Sequence, residues 1–191
     1  VTPINSTICN GDSITIMAIQ TYYSSYQWYN ALTGVGISGA TGTSLTVSVS
    51  GDYYVEVTNS SGCSSNSAPA SVTVLTVSTP TGMYASNLQL NKGTMNWSSV
   101  ANAHHYDIRF KEQGSSSWTT LMLNIPTTFK QKANLTSSTT YEWEVRSACS
   151  ADSSSVSAWS ATQSFTTLAP CTVPLNATTT GITLTAATLA W

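Results

Sequence analysis

Large apolar side chains alternate with small polar or charged ones through much of the chain, the period of two that marks strands with one buried face. The clearest run is Thr140 to Cys149. There Tyr141, Trp143 and Val145 should face inward, and Glu142, Glu144 and Arg146 outward, as a solvated charge ladder. Leu135 stands six residues before Tyr141, the spacing of a tyrosine corner in a two-sheet β domain. Upstream, Tyr106, Ile108 and Phe110 alternate with Asp107, Arg109 and Lys111, which are assigned outward. Met95 and Trp97 fall on the strand before these, Gly114 to Ser117 turns the chain towards Trp118, and Trp159 and Phe165 are placed on the last strand.

The same alternation occupies residues 1 to 75. Ile14 and Ile16 form one set, Tyr26 and Trp28 a second, Leu45, Val47 and Val49 a third, Tyr53, Val55 and Val57 a fourth, and Val72 and Val74 a fifth. Gly34, Gly36, Gly39 and Gly42 crowd one connection, and Ser50-Gly51-Asp52 turns the chain into the fourth set. Short strands between glycine turns, without a window of helical period, predict an all-β chain of tandem sandwiches. The expected organisation is a sandwich over 1–75, a linker at 76–79, a second sandwich over 80–167 and the first two strands of a third over 168–191. So short a linker should restrict the angle between its neighbours.

Composition narrows the setting. Of 191 residues only 7% are charged, while Ser and Thr are abundant, which suits a hydroxyl-solvated extracellular surface. All six basic residues lie between Lys92 and Arg146, so there is no basic stripe for nucleic acid. No apolar run approaches the roughly 20 residues of a membrane span. No signal peptide opens the chain, so Val1 is expected to be an internal cut.

Cys9 precedes the first alternating set and Cys63 follows the fourth. A disulfide between them is expected; closing a loop of about 54 residues would stabilise by roughly 4 kcal/mol. Zinc is not, because two cysteines without neighbouring ligands cannot complete a structural site.

Cys9-Asn10-Gly11-Asp12-Ser13-Ile14, Tyr26-Gln27-Trp28, Gly51-Asp52-Tyr53-Tyr54-Val55-Glu56-Val57 and Gly62-Cys63 resemble the Ig-like modules of large secreted proteins of gliding bacteria. Pro80, Trp97, Tyr106, Leu135, Tyr141 and Phe165-Thr166-Thr167 resemble, in that order, a fibronectin type III domain. The pattern then restarts: Pro174 lies 94 positions after Pro80 (174 − 80 = 94), Leu184 aligns with Leu90, Thr188 with Thr94, Leu189 with Met95 and Trp191 with Trp97. Two strands cannot bury a sandwich face, so 168–191 is expected to pair with a continuation of the chain or with another molecule.

Cys149 and Cys171 pull two ways. Counting pairs them with each other, leaving no odd thiol in an oxidised compartment. Strand direction opposes this, because Cys149 ends the sixth strand and Cys171 follows the seventh, about 25 Å away at the other end. In the resembling repeats a cysteine at a module's entry often accompanies one at the end of its sixth strand, but here the entry position aligned with Cys171 is Val77. A partner for Cys171 outside the chain stays open.

Little points to chemistry. His104-His105 is read as part of a loop before the Tyr106 strand, without a ligand or acid-base role. No nucleophile elbow, phosphate loop, calcium loop or zinc spacing occurs, so no cofactor and no catalytic residue is expected. Tyr22, Tyr23, Tyr29 and Tyr54 are the candidate binding surface, since exposed tyrosines can stack on sugar rings or contact protein. The resemblance to the gliding-bacterial proteins adds Ser13, in Asp12-Ser13-Ile14, as a candidate O-glycan acceptor.

The expected function is a non-catalytic stalk, spacer and adhesion scaffold in a large secreted or cell-surface protein, with further modules of the same parent as partners. The alternatives are a module that binds polysaccharide or a cell-surface protein, and an accessory part of a secreted hydrolase. Fold does not choose among them.

Overall fold

The computed structural model of the chain describes residues 1–123, 126–171, 178–180 and 188–190. Among them there are strands and turns but no helix.

Residues 1–75 build two facing sheets. One holds β1 (Asn5–Cys9), β7 (Ala70–Leu75), β5 (Gly51–Thr58) and β3 (Ser25–Asn30) in that spatial order, with β6 (Ser64–Asn66) also paired to β5. The other holds β2 (Ile14–Met17) and β4 (Ser44–Val47), extended by a bridge from Thr2 to Met17. The alternation selects the inner face. Ile16, Trp28, Val55, Leu45, Val47 and Val72 meet between the sheets, and Trp28, fully buried, donates its indole N–H to the Gly42 carbonyl at 2.9 Å. That bond draws the glycine-rich connection over the tryptophan. Val49 departs from the expected alternation: it lies beyond β4 and is exposed, and the Tyr53 hydroxyl donates to its carbonyl at 3.0 Å. Two strands carry little apolar signal. β1 is mostly polar and pairs parallel to β7, and β6 is wholly exposed.

The registers fix which residues share a pole. Cys9 lies opposite Leu75, where the chain leaves the sandwich; we term this end the foot. The β2–β3 connection (18–24) and the β5–β6 turn lie at the opposite end, the head, because β5 runs antiparallel to β7 and ends beyond its start.

Residues 80–167 form the second sandwich. One sheet has the order β11 (Thr119–Leu123), β10 (His105–Glu112), β13 (Thr140–Ala148), β14 (Gln163–Thr166). The other has β12 (Phe129–Ala133), β9 (Lys92–Asn96), β8 (Tyr84–Ser86). Met95, Trp97, Ile108, Trp143, Val145 and Phe165 fill the interior. Leu135 and Tyr141 are buried, and the Tyr141 hydroxyl accepts the Thr136 amide at 3.0 Å, so the tyrosine corner is present. Trp97 lies one residue past β9. Trp159 lies in the β13–β14 connection rather than on the last strand.

The disulfide expectation is corrected. Cys9 bonds to Cys149, across a sequence separation of 140, while Cys63 and Cys171 are free and exposed. Cys9 sits at the foot of the first sandwich and Cys63 at its head, separated by about ten strand positions, or roughly 30 Å at 3.3 Å per residue. A bridge needs Cα atoms within about 7 Å. Cys149 and Cys171 are not paired either. The β13–β14 register, Thr140 opposite Thr166, puts Cys171 at the foot of the second sandwich and Cys149 at its head.

Beyond Cys171 a hairpin pairs β15 (Thr178–Thr180) with β16 (Thr188–Ala190). Its register, Thr178 to Ala190 and Thr180 to Thr188, is that of Tyr84 to Asn96 and Ser86 to Thr94 shifted by the repeat period. Pro174, Leu184 and Trp191 lie outside the described residues.

Candidate functional site

Two places combine geometry with exposure: the junction between the sandwiches, and the head of the first.

At the junction, the foot of the first sandwich meets the β13–β14 connection of the second. The Cys9–Cys149 Cα atoms are 5.9 Å apart. Beside them the buried Ser155 hydroxyl donates to the Asn10 carbonyl at 2.8 Å, and the Asn10 amide donates to the Leu75 carbonyl at 2.9 Å. The connecting segment is held as well. The Ser147 hydroxyl donates to the Ser78 carbonyl at 2.7 Å, the Asn102 side chain to the Thr76 carbonyl at 3.4 Å and the Thr79 hydroxyl to the Ala158 carbonyl at 3.4 Å. Each exposed bond alone is worth little. Together with one covalent bridge they remove the torsional freedom of a short linker.

At the head of the first sandwich a groove of about 330 Å³ is lined by Val1, Ile19, Gln20, Tyr23, Val57 and Asn66, among others. Tyr22 is 75% exposed and stacks on Tyr23 with ring centroids 5.0 Å apart. Tyr23 in turn meets the buried Tyr26 edge-on at 6.3 Å and donates its hydroxyl to Gln20. Desolvation, and then Tyr22, push the Tyr23 phenol above its ordinary pKa. Tyr29 and Tyr54 form a different pair, opposite each other on β3 and β5, stacked at 5.0 Å and nearly parallel. Six residues separate Tyr23 from Tyr29, roughly 20 Å along a strand. The four candidate tyrosines are thus two stacked pairs, not one platform.

The outer face of the second sandwich corrects a further expectation. Glu144 and Asp107 do point away from the core, but both are buried. Arg109 donates from Nε to Glu144 at 2.7 Å, Arg146 from Nε to Asp107 at 3.0 Å, and Lys111 approaches Glu142 at 3.2 Å. Trp159 covers Arg109 and Arg146, each 4.6 Å from its ring centroid, and Trp118 covers Arg109 and Lys111 at 4.7 and 4.8 Å. The expected solvated ladder is instead a layer of alternating cations and indoles. Sequence reasoning missed it because the covering tryptophans arrive from outside the alternating runs. The available signal was opposite charge on adjacent strands, Arg109 facing Glu144 and Lys111 facing Glu142.

His105 is likewise corrected. It opens β10 rather than ending a loop, is fully buried, and lies 3.5 Å from Asp107 and 2.9 Å from the Ser153 hydroxyl, inside the same layer. His104 is exposed. Ser13 is exposed in the turn before β2, accessible to modification. Among the described residues no group of three or more His, Cys, Asp or Glu side chains is arranged to hold a metal ion.

Residues 1–75 match the family model described as Ig-like domain CHU_C associated. The first sandwich carries that Ig-like pattern from end to end. No curated protein matches the chain in sequence. Among solved structures, domains A168–A170 of titin align at 15% identity over 85% of this chain and 61% of theirs, with a TM-score of 0.61. The FN1–FN3 domains of chicken CNTN1 align at 16% identity over 88% of this chain and 64% of theirs, with a TM-score of 0.53. This chain therefore spans less than two thirds of either neighbour. At such identity the likeness concerns fold alone: tandem β-sandwiches of the Ig-like and fibronectin type III kinds. Ig-like and fibronectin type III modules are typical of extracellular multidomain proteins and generally lack catalysis. The junction staple thus joins an Ig-like foot to a fibronectin type III head, and the tyrosine groove occupies the Ig-like head.

Proposed function

We propose that the chain is a non-catalytic extracellular spacer that holds successive modules of a secreted or cell-surface protein, of the adhesin kind, in fixed relative orientation. The observation that carries this reading is the Cys9–Cys149 bond between sandwiches, seated among hydrogen bonds to the linker. A disulfide favours an oxidising compartment, and a covalent tie between modules that each possess a core serves orientation more than folding. In this reading residues 168–191 begin another module of the same design, as the repeated hairpin register supports.

Small-angle scattering of the full chain and of Cys9→Ser/Cys149→Ser tests it. The parent should scatter as one stiff particle, and the variant should show the larger and broader dimensions of hinged modules. Equal stiffness in both, or a parent as flexible as the variant, would refute the spacer reading.

A second reading, polysaccharide or protein binding, is favoured by the groove beside the stacked Tyr22 and Tyr23. Saturable retention on insoluble polysaccharides or cell surfaces, lost in Tyr22→Ala/Tyr23→Ala, would support it. Retention unchanged by that variant would exclude these tyrosines.

A further inference from the structure

Charge is divided unequally between the two sheets of the second sandwich. On the sheet of β10 and β13 each cation has its own carboxylate: Arg109 holds Glu144, Arg146 holds Asp107 and Lys111 holds Glu142. The sheet of β8, β9 and β12 contains Lys92, Lys130 and Lys132 and no Asp or Glu. Among the described residues none of these three lysines forms a salt bridge. The basic residues left without an internal partner are thus gathered on one sheet.

The same sheet exposes two aromatic rings in one row. Tyr84 of β8 and Phe129 of β12 both lie opposite Asn96 of β9, one on each side. Residues opposite each other in antiparallel strands share a face. Met95 and Trp97 are buried inside, so alternation turns Asn96 and its two neighbours outward. Tyr84 is 60% and Phe129 55% exposed. The Asn96 side-chain amide donates to the Tyr84 carbonyl at 3.2 Å and to the Ser86 hydroxyl at 2.9 Å, which fixes β8 beneath the first ring. Two strand spacings set the Cα atoms of the aromatic residues about 10 Å apart, close to the length of one disaccharide in an extended β-linked polymer. Lys92 projects from the same face of β9, and Lys130 and Lys132 border it on β12.

We propose that this face binds an anionic polysaccharide, with alternate sugar rings against Tyr84 and Phe129 and the carboxylates of uronic acid units paired to Lys92, Lys130 and Lys132. Charge complementarity selects the occupant. A chain of net charge −2 attracts a polyanion only where its cations lack partners of their own. The rings select a sugar polymer, because the apolar C–H face of a pyranose lies flat on an aromatic side chain. Three lysines are too few for the run of phosphates that nucleic-acid binding neutralises, and the Cys9–Cys149 bond favours an oxidising compartment. The site is on the other module from the groove beside Tyr22 and Tyr23, and it rests on neither functional reading above.

The test is affinity electrophoresis of the full chain through native gels containing polygalacturonate, hydroxyethylcellulose or single-stranded DNA, each compared with a polymer-free gel. Polygalacturonate should retard the parent, and less so as salt rises. Tyr84→Ala/Phe129→Ala and Lys92→Gln/Lys130→Gln/Lys132→Gln should each weaken retention about tenfold, the equivalent of about 1.4 kcal/mol. Tyr22→Ala/Tyr23→Ala should run as the parent does. NMR shift mapping of the unsubstituted chain should place the largest polygalacturonate-induced changes on β8, β9 and β12, which decides the matter without any variant. No retardation of the parent, shift changes centred elsewhere, or stronger retention by single-stranded DNA would overturn the proposal. So would equal retention by hydroxyethylcellulose, since charge would then select nothing, and so would a loss confined to the lysine variant, which is attraction without stacking. Loss in Tyr22→Ala/Tyr23→Ala alone would move the binding to the Ig-like groove and overturn this site, leaving the reading of that groove in place.

Discussion

Cutting the Cys9–Cys149 bond should destabilise whichever sandwich is the weaker, although each contributes only one of the two cysteines. The two ends of the cross-link lie close to the ends of the linker. When the fibronectin type III module unfolds and the Ig-like module does not, Cys9 stays beside Leu75, so the bridge closes a loop of only the linker and the unfolded module. When the Ig-like module unfolds alone, Cys149 stays near Ser78, which Ser147 holds, and the closed loop is again the unfolded module. Either loop has roughly 70 residues, for which lost chain entropy is worth about 4.4 kcal/mol at 25 °C. Unfolding both closes one loop over the whole 140-residue separation, worth only about 5 kcal/mol. The bond therefore acts almost wholly on whichever module unfolds first. Urea unfolding followed by pulsed hydrogen exchange and mass spectrometry reads the modules separately. With a slope of about 1.5 kcal/mol/M, the weaker module of Cys9→Ser/Cys149→Ser should lose about 3 M in midpoint. A loss below about 1 kcal/mol in the weaker module would refute the reasoning, as would a bridged protein whose modules still unfold independently.

Other consequences follow from single side chains. Trp159→Ala removes the cover from Arg109 and Arg146 and exposes the Glu144 and Asp107 pairs to water; thermal unfolding should show a loss of about 2 kcal/mol, partly restored by Trp159→Phe. Tyr141→Phe deletes the acceptor of the Thr136 amide and should cost the second module about 1 to 2 kcal/mol by denaturant titration. Gly93→Ala would put its Cβ 2.8 Å from the Phe165 ring and 3.1 Å from Leu88, so about 1 to 3 kcal/mol should be lost in the same assay. The Asp152 carboxylate, in the head connection of the second module, accepts hydrogen bonds from Ser154 and Ser150, which lower its pKa from 3.8 to about 2. A depressed carboxylate contributes to order above its unfolded pKa and loses that contribution as pH falls through about 2. NMR titration should find that midpoint, and Ser154→Ala should move it back towards 3.8.

The chain by itself determined the strands that carry two-residue alternation, and through them the sandwich class. Trp28, Tyr106, Trp143 and Val145 have no other way to leave water, and their buried places were legible. The tyrosine corner was legible for the same reason: a fixed spacing from Leu135 to Tyr141 imposes a local geometry. The repeat of 94 positions reappears as an identical pairing register in two hairpins, since register follows side-chain pattern. Polar β1 and β6 were not legible, because a strand held by backbone pairing at a sheet edge needs no apolar face. The cation and indole layer was half legible: its charges lie on alternating strands, but its tryptophans come from connections whose path no local pattern dictates. Disulfide pairing was decided by tertiary structure alone. Cys9 and Cys63 belong to one module and are near each other in sequence, yet strand direction sends them to opposite poles, while two packed modules bring Cys9 within 5.9 Å of Cys149. A bond depends on distance in space, and distance between poles and between modules arises only when the sheets are assembled and docked.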